Sequence, residues 1–275
     1  MTGKRAVFFV SDSTAITAET LGHSLLSQFA DQSFDTVTLR YIDNADKARE
    51  VRDMINAAHH SRGKRPLIFS TLVVSDAHDI IAASEGLFID FMGPFLNPLK
   101  EELGAPPVPA VGHTHGVVTP EQYTHRMDAI NFALQNDDGG SIRHYDRADL
   151  ILVGVSRSGK TPTSVFLAIH YGIFAANYPL VEEELENSKL PADLKPWRNK
   201  LFGLTIRPER LQQIRQIRSP DSRYAALHQC QYEVRQVEAL FRANSIDYLD
   251  VTSRSVEEIA TYILKATNLE KHWLK

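Results

Sequence analysis

Leu150-Ile151-Leu152-Val153 is an unbroken apolar run, opened by Asp149, that leads directly into Gly154-Val155-Ser156-Arg157-Ser158-Gly159-Lys160-Thr161. A run without alternation fits a strand buried on both faces, which requires a parallel sheet with helices on either side. The eight residues that follow match GxxxxGK[ST] at every fixed position. Glycines at both ends let the backbone turn tightly and present N–H groups to anionic oxygens. Lys160 supplies a point charge for a terminal phosphate, and the Thr161 hydroxyl can ligate magnesium. The apolar helix expected at Thr163–Tyr171 would direct its positive end at the anion. Pro162 is tolerated there because first-turn amides have no intrahelical partner. The expectation is a phosphate-binding loop formed by Gly154, Val155, Ser156, Arg157, Ser158, Gly159, Lys160 and Thr161. The competing reading, a bland glycine-rich turn, does not explain the strand before it or the helix after it.

The same alternation of apolar runs and helical spacing recurs along the chain. Strands are expected at Ala6–Val10, Thr36–Ile42 and Pro66–Val74, with helices from the Ser11–Thr14 junction to about Phe29, at Asp46–His60, and at Asp76–Ser84 with Ser75 as N-cap. Ala105-Pro106-Pro107-Val108-Pro109 cannot be helix interior. A helix at Glu121–Gln135 and a turn at Asp137–Gly140 follow. Beyond the loop, strands are expected around Ala175–Leu180, Leu201–Ile206 and Ile246–Val251. Helices should start at Pro208, carrying Leu211, Ile214 and Ile217, span Leu227–Phe241, and cover Ser255–Ala266. These patterns define an α/β fold: an N-terminal parallel-sheet, Rossmann-like lobe over residues 1–104, a connection with one helix over 105–145, and a P-loop kinase-like nucleotide-binding lobe over 146–275.

Bulk properties narrow the function. With 43% hydrophobic and 23% charged residues the chain is compositionally an ordinary globular protein, which excludes wholesale disorder. The net charge of −4 gives no global field for nucleic acid or anionic lipid. A single cysteine, Cys230, allows no intrachain disulfide and suits a reducing compartment. The short apolar segment Ala6–Val10 is not a secretory signal, and no run approaches the roughly 20 apolar residues of a membrane helix. The expectation is a cytoplasmic protein with no nucleic-acid or membrane partner; a homo-oligomer is compatible with the sequence.

Several other groups of residues suggest chemistry. Arg207, Arg210, Arg215, Arg218 and Arg223 crowd the helix after Ile206 and its exit. Arg215, Arg218 and Arg223 are candidates for a mobile lid that closes on transferring phosphates, against the plainer reading of a solvated basic face. Asp250-Val251-Thr252-Ser253 stands at a strand end where such folds often contact a nucleotide base. His113 and His115 lack a third metal ligand and are read as phosphate or protein-substrate contacts. The pair Asp137-Asp138 is first a turn, and could also serve magnesium or supply a base. Ser11-Asp12-Ser13-Thr14 occupies a strand-to-helix junction, where open α/β sheets bind ligands.

Taken in order, Ser11-Asp12-Ser13-Thr14, His113-Thr114-His115-Gly116, Asp137-Asp138-Gly139, the loop through Ser164, Ala176-Asn177-Tyr178-Pro179, Leu201-Phe202-Gly203-Leu204-Thr205 and Ser222-Arg223-Tyr224-Ala225 resemble the phosphoenolpyruvate synthase regulatory proteins. The pyruvate, phosphate dikinase regulatory proteins are close relatives of these; the Gly159-Lys160 pair is more similar to the synthase branch. The resemblance implies a bifunctional enzyme whose protein substrate is phosphoenolpyruvate synthase. One activity phosphorylates a threonine with ADP as donor, leaving AMP and an inactive target. The other removes that phosphate with inorganic phosphate, releasing pyrophosphate. It also implies ADP on Gly154–Thr161. Either reaction needs a base for a hydroxyl, for which Asp12 and Asp138 are candidates beside the catalytic Lys160, with magnesium on Thr161. Regulation of the dikinase by the same chemistry, a P-loop kinase of a small metabolite, and a non-catalytic nucleotide sensor remain alternatives.

Overall fold

The computed structural model describes residues 4–107, 119–139, 144–185 and 189–269. His113 and His115 lie outside them, as does Gly140. The chain divides into two compact units, Met1–Val117 and Val118–Lys275, each built on a four-stranded parallel sheet.

In the first unit, β1 (Arg5–Val10), β2 (Phe34–Leu39), β3 (Leu67–Ser70) and β4 (Leu87–Asp90) are arranged in the order β2-β1-β3-β4. Alternation along β1 divides its side chains between two cores. Ala6, Phe8 and Val10 pack with Ala48, Val51 and Ile55 of α2 (Ala45–Arg62) and with Ala77 and Ile81 of α3 (Ser75–Ala82). Val7 and Phe9 face α1 (Ile16–Leu26) through Ala18 and Leu26. Gly22 permits this close approach, since a Cβ there would meet the Phe9 ring at 2.3 Å.

Three local expectations change in this unit. Ser75 is the first residue of α3 and not its N-cap; Val74 holds that position without a capping side chain. Strand β4 and helix α4 (Gly93–Leu103) were not expected. Helix α4 forms despite Pro98 because Pro94 stands in its first turn and the Asp90 carboxylate accepts from the Met92 and Gly93 amides at 2.8 and 3.0 Å.

The second unit repeats the relative strand order. Its strands β5 (Leu150–Gly154), β6 (Ala175–Pro179), β7 (Leu201–Thr205) and β8 (Tyr248–Asp250) lie as β6-β5-β7-β8. Every residue of β5 is buried, in keeping with its unbroken apolar sequence. Helix α5 (Pro120–Gln135), placed by the sequence in the connection, belongs with this unit. Its Ala129 and Ala133 pack on Ala168 of α6 (Lys160–Tyr171). The short α7 (Glu182–Leu185) precedes β7, and α8 (Pro208–Arg218), α9 (Leu227–Ala243) and α10 (Val256–Thr267) complete the unit. Cys230, Val234, Val237, Leu240 and Phe241 of α9 and Ile259 and Ile263 of α10 enter the core. Ser255 and Glu258 form the expected capping box.

Helix α8 departs from its expected pattern. Arg215, expected on a mobile lid or a solvated face, is fully buried, while Ile217 is 86% exposed. Among the described residues no helix is long and apolar enough to cross a membrane.

Candidate functional site

Strand β5 ends at Gly154 and α6 begins at Lys160, so the glycine-rich segment spans the junction from a central strand to a helix. With β6 on one side of β5 and β7 on the other, the carboxyl end of β5 stands where the strand order reverses, the position at which open α/β sheets receive ligands. Both fixed glycines have steric reasons. A Cβ on Gly154 would meet the Leu204 carbonyl oxygen of β7 at 2.3 Å, and Gly159 has φ +83°. Arg157 is also left-handed, at φ 76°, a conformation disfavoured for a residue with a Cβ. The loop is closed from within by Ser158, whose hydroxyl donates to the Val155 carbonyl at 2.9 Å. Gly159 provides α6 with no capping side chain, which leaves the helix start suited to an anion.

Lys160 is almost fully buried and donates from Nζ to the Gly154 and Val155 carbonyls at 3.1 and 3.0 Å. Burial lowers its pKa to about 8, partly offset by the Asp138 and Asp137 carboxylates, while Arg215 and Arg157 push it further down. The lysine is thus a desolvated cation placed against the loop, with two acidic neighbours.

Those neighbours come from the turn after α5. Asp137 Oδ1 accepts from Thr161 Oγ1 at 2.8 Å and also from the side-chain amide of Asn177. Asn177 is buried on β6, and its Oδ1 accepts from the Asp138 amide at 2.9 Å. The left-handed Asp138 (φ 50°) is exposed. Of the pair, Asp137 is therefore the one whose side chain is tied to the loop's threonine, while the sequence singled out Asp138. Asn177 was missed as a site residue; its signal was a polar amide within an otherwise buried strand.

The arginines separate into two kinds. Arg215 is no lid residue: with no exposed surface, it pairs bidentately with Glu233 at 3.0 and 2.6 Å and stacks on Tyr224, 4.0 Å from the ring centroid. Burial opposes its charge, but the Glu233 carboxylate prevails and holds the guanidinium above its ordinary pKa. Arg218 and Arg223 are exposed, and Arg223 pairs with Glu182 at 2.7 Å. The Thr252 hydroxyl accepts from the Arg207 amide at 2.8 Å and so ties the end of β8 to the start of α8.

Asp12 belongs to the first unit. It is buried, and its Oδ2 accepts from the Val73 and Val74 amides at 2.7 and 3.3 Å. This carboxylate organises the β3–α3 loop from the end of β1.

Fold and site together define an α/β protein with a glycine-rich strand-to-helix loop, a buried lysine and an acidic turn. Comparison with known proteins gives the family. The family model described as Kinase/pyrophosphorylase matches residues 7–264, and the chain belongs to that family. It is 50% identical over 269 residues to a Marinobacter nauticus protein, covering 98% of this chain and 99% of that one. It is 52% identical over 270 residues to a Pseudomonas aeruginosa protein and 52% over 268 to one from Stutzerimonas stutzeri, with 98% of each chain covered in both cases. All three relatives carry the name "Putative phosphoenolpyruvate synthase regulatory protein".

Proposed function

We propose that this protein is a bifunctional phosphotransferase that binds ADP on Gly154–Thr161 and switches phosphoenolpyruvate synthase off and on. In one direction the β-phosphoryl group of ADP passes to a threonine hydroxyl of the synthase, and AMP leaves. In the other, inorganic phosphate attacks the phosphothreonine and leaves as pyrophosphate, restoring the hydroxyl. The observation that carries this reading is the buried Lys160 at the mouth of a strained, amide-rich loop beside Asp137 and Asp138. The family's description and the names of the relatives favour this reading over a small-metabolite kinase, and the synthase over the dikinase as target.

Each residue has a task in this scheme. The loop amides and the start of α6 hold the phosphates. Lys160 balances charge on the group in transit. The exposed Asp138, which lies in the electrostatic range of Lys160, takes the proton of the threonine hydroxyl. Asp12 is the less favoured base, since one of its oxygens already accepts two amides. Arg218 and Arg223 are free of the core and are suited to close over bound phosphates.

Magnesium fits the oxygen donors present. Thr161 Oγ1 donates its hydrogen to Asp137 and accepts from Asn177 Nδ2 at 3.4 Å, which leaves one hydroxyl lone pair for a hard cation. Among the described residues no group of three or more His, Cys, Asp or Glu could hold a metal. Magnesium does not need one, because it is commonly held by one or two protein oxygens together with substrate phosphates and water. When bound it would neutralise phosphate charge. The cytoplasm, where the synthase and ADP would meet, is the proposed location. Lys160→Ala tests the site: phosphorylation of the synthase should fall about a thousandfold, the loss of roughly 3–4 kcal/mol expected for a charge-assisted transition-state contact. Wild-type turnover in that variant would remove the loop from the chemistry.

A further inference from the structure

We propose that Arg215 and Tyr224 are positioning residues that hold the phosphate loop in its binding shape by gripping Ser156 from behind. This rests on the reading of Gly154–Thr161 as an ADP site. Two separate groups converge on that one loop residue. Arg215 Nη2 donates to the Ser156 carbonyl at 3.2 Å, and the Tyr224 hydroxyl donates to Ser156 Oγ at 2.9 Å.

The consequences follow from bond geometry. A trans peptide is planar, with its C=O and N–H directed oppositely. Turning the Ser156 carbonyl onto Arg215 therefore points the Arg157 amide away from the guanidinium, as an anion-binding loop requires. Arg157 is left-handed, and such a conformation persists when its surroundings over-determine it. Arg215 supplies that constraint at the preceding peptide. The bond from Tyr224 fills an acceptor position on Ser156 Oγ and leaves the serine's own proton to donate, which suits a phosphate oxygen.

The grip is itself braced. Glu233 holds both terminal nitrogens of Arg215, and Gln229 donates to the same carboxylate at 3.1 Å. Arg215 Nη1 donates to the Tyr224 carbonyl at 3.0 Å, and its guanidinium lies over the Tyr224 ring. A line of contacts thus runs from α9 through α8 and the turn at Arg223–Ala225 to the loop. It also gives Tyr224, within the Ser222–Ala225 run, a task that the phosphoryl-transfer scheme leaves open.

The test uses calorimetric ADP affinity and thermal midpoints of the full-length protein. Tyr224→Phe removes one hydroxyl and keeps the ring. It should retain the wild-type midpoint and bind ADP about tenfold more weakly, the order expected when a hydrogen bond that orients a donor to a charged ligand is lost. Ser156→Ala should weaken binding similarly, and the double variant should bind no worse than Ser156→Ala alone, because the two groups act as one unit. Arg215 is tested by removing the whole ion pair, Arg215→Met with Glu233→Leu, which leaves no stranded buried charge. That variant should also lose about tenfold in ADP affinity. Wild-type affinity in Tyr224→Phe, or losses that multiply in the double variant, would overturn the part assigned to Tyr224. Wild-type affinity in the pair replacement would overturn that of Arg215. A wild-type protein that binds no ADP would remove the underlying site, and this inference with it.

Discussion

Thr161 Oγ1 donates to Asp137 Oδ1 across 2.8 Å, joining the first turn of α6 to the turn that ends α5. Asn177 binds the same carboxylate and the Asp138 amide, so the orientation of Asp137 is fixed from two sides. If this pair prepares a cation site, Asp137→Asn should raise the magnesium concentration that half-saturates phosphorylation by about 10–100-fold, the usual effect of disturbing a ligand's supporting partner. Asp138→Asn should instead lower turnover at saturating magnesium. Magnesium titrations of the two variants would separate these roles, and identical profiles would show that the two aspartates are not divided in this way.

Lys160 sets a pH dependence. Burial brings its pKa to about 8 against an ordinary 10.5, so in the free protein the cation is mostly present at pH 7 and mostly lost above pH 8. An anion on the loop favours the charged form. ADP binding should therefore take up protons near pH 8, and affinity should fall as the pH rises through that value. Calorimetry in buffers of different ionisation enthalpy measures the uptake, which should vanish in Lys160→Met. The same shift affects stability in the opposite sense. Below pH 8 the buried charge costs stability, and that cost fades as the pH climbs toward 10.5, where the unfolded lysine also loses its proton.

Much of the architecture was legible because it rests on local patterns. The unbroken Leu150–Val153 run announced a strand buried on both faces, and the glycine and lysine spacing placed the loop at its end. What failed depended on partners distant in sequence. Arg215 looked like a solvent-facing helix residue, because nothing near it reveals that Glu233, 18 positions on, neutralises it inside the core. Once Arg215 took the inner position, Ile217, half a turn away, had to face solvent. Helix α4 was hidden by Pro98, and strand β4 by its four residues at a sheet edge. The choice between Asp137 and Asp138 depended on Asn177, which reaches the turn from another strand.

The two kinds of arginine should respond differently to substitution. Glu233→Ala leaves the Arg215 guanidinium buried without its counter-charge, and unfolding free energy should drop by about 3–5 kcal/mol. Arg223→Ala breaks an ion pair whose arginine is 74% exposed and should change stability by only about 0–1 kcal/mol. If Arg223 closes over phosphates, its variant should lose turnover while ADP affinity changes little. Denaturant unfolding and steady-state kinetics check both statements. Unchanged turnover in Arg218→Ala and Arg223→Ala would make the pair a solvated face.

Gly154 and Gly159 should fail for different reasons. A methyl group at Gly154 collides with the backbone oxygen of Leu204, so Gly154→Ala should strain the contact between β5 and β7 and destabilise the protein by about 1–3 kcal/mol. At Gly159 a Cβ meets no atom within 4 Å, yet φ is +83°. Gly159→Ala should therefore cost about 1–2 kcal/mol through backbone strain alone. Asn, which tolerates the left-handed region better, should recover part of that loss at Gly159 and none at Gly154. Thermal unfolding of the four variants distinguishes steric from conformational cost.

In the proposed function, ADP gives its β-phosphoryl group to the synthase from the Gly154–Thr161 loop. The most direct measurement follows ADP radiolabelled on its β phosphate, incubated with magnesium, purified phosphoenolpyruvate synthase and this protein. The label should appear on a synthase threonine as AMP is released and synthase activity falls. Added inorganic phosphate should then discharge the label as pyrophosphate, and Lys160→Ala should slow the transfer about a thousandfold. Label that stays on ADP while γ-labelled ATP modifies the synthase would contradict the assignment of the donor, and transfer at the wild-type rate by Lys160→Ala would contradict the assignment of the site.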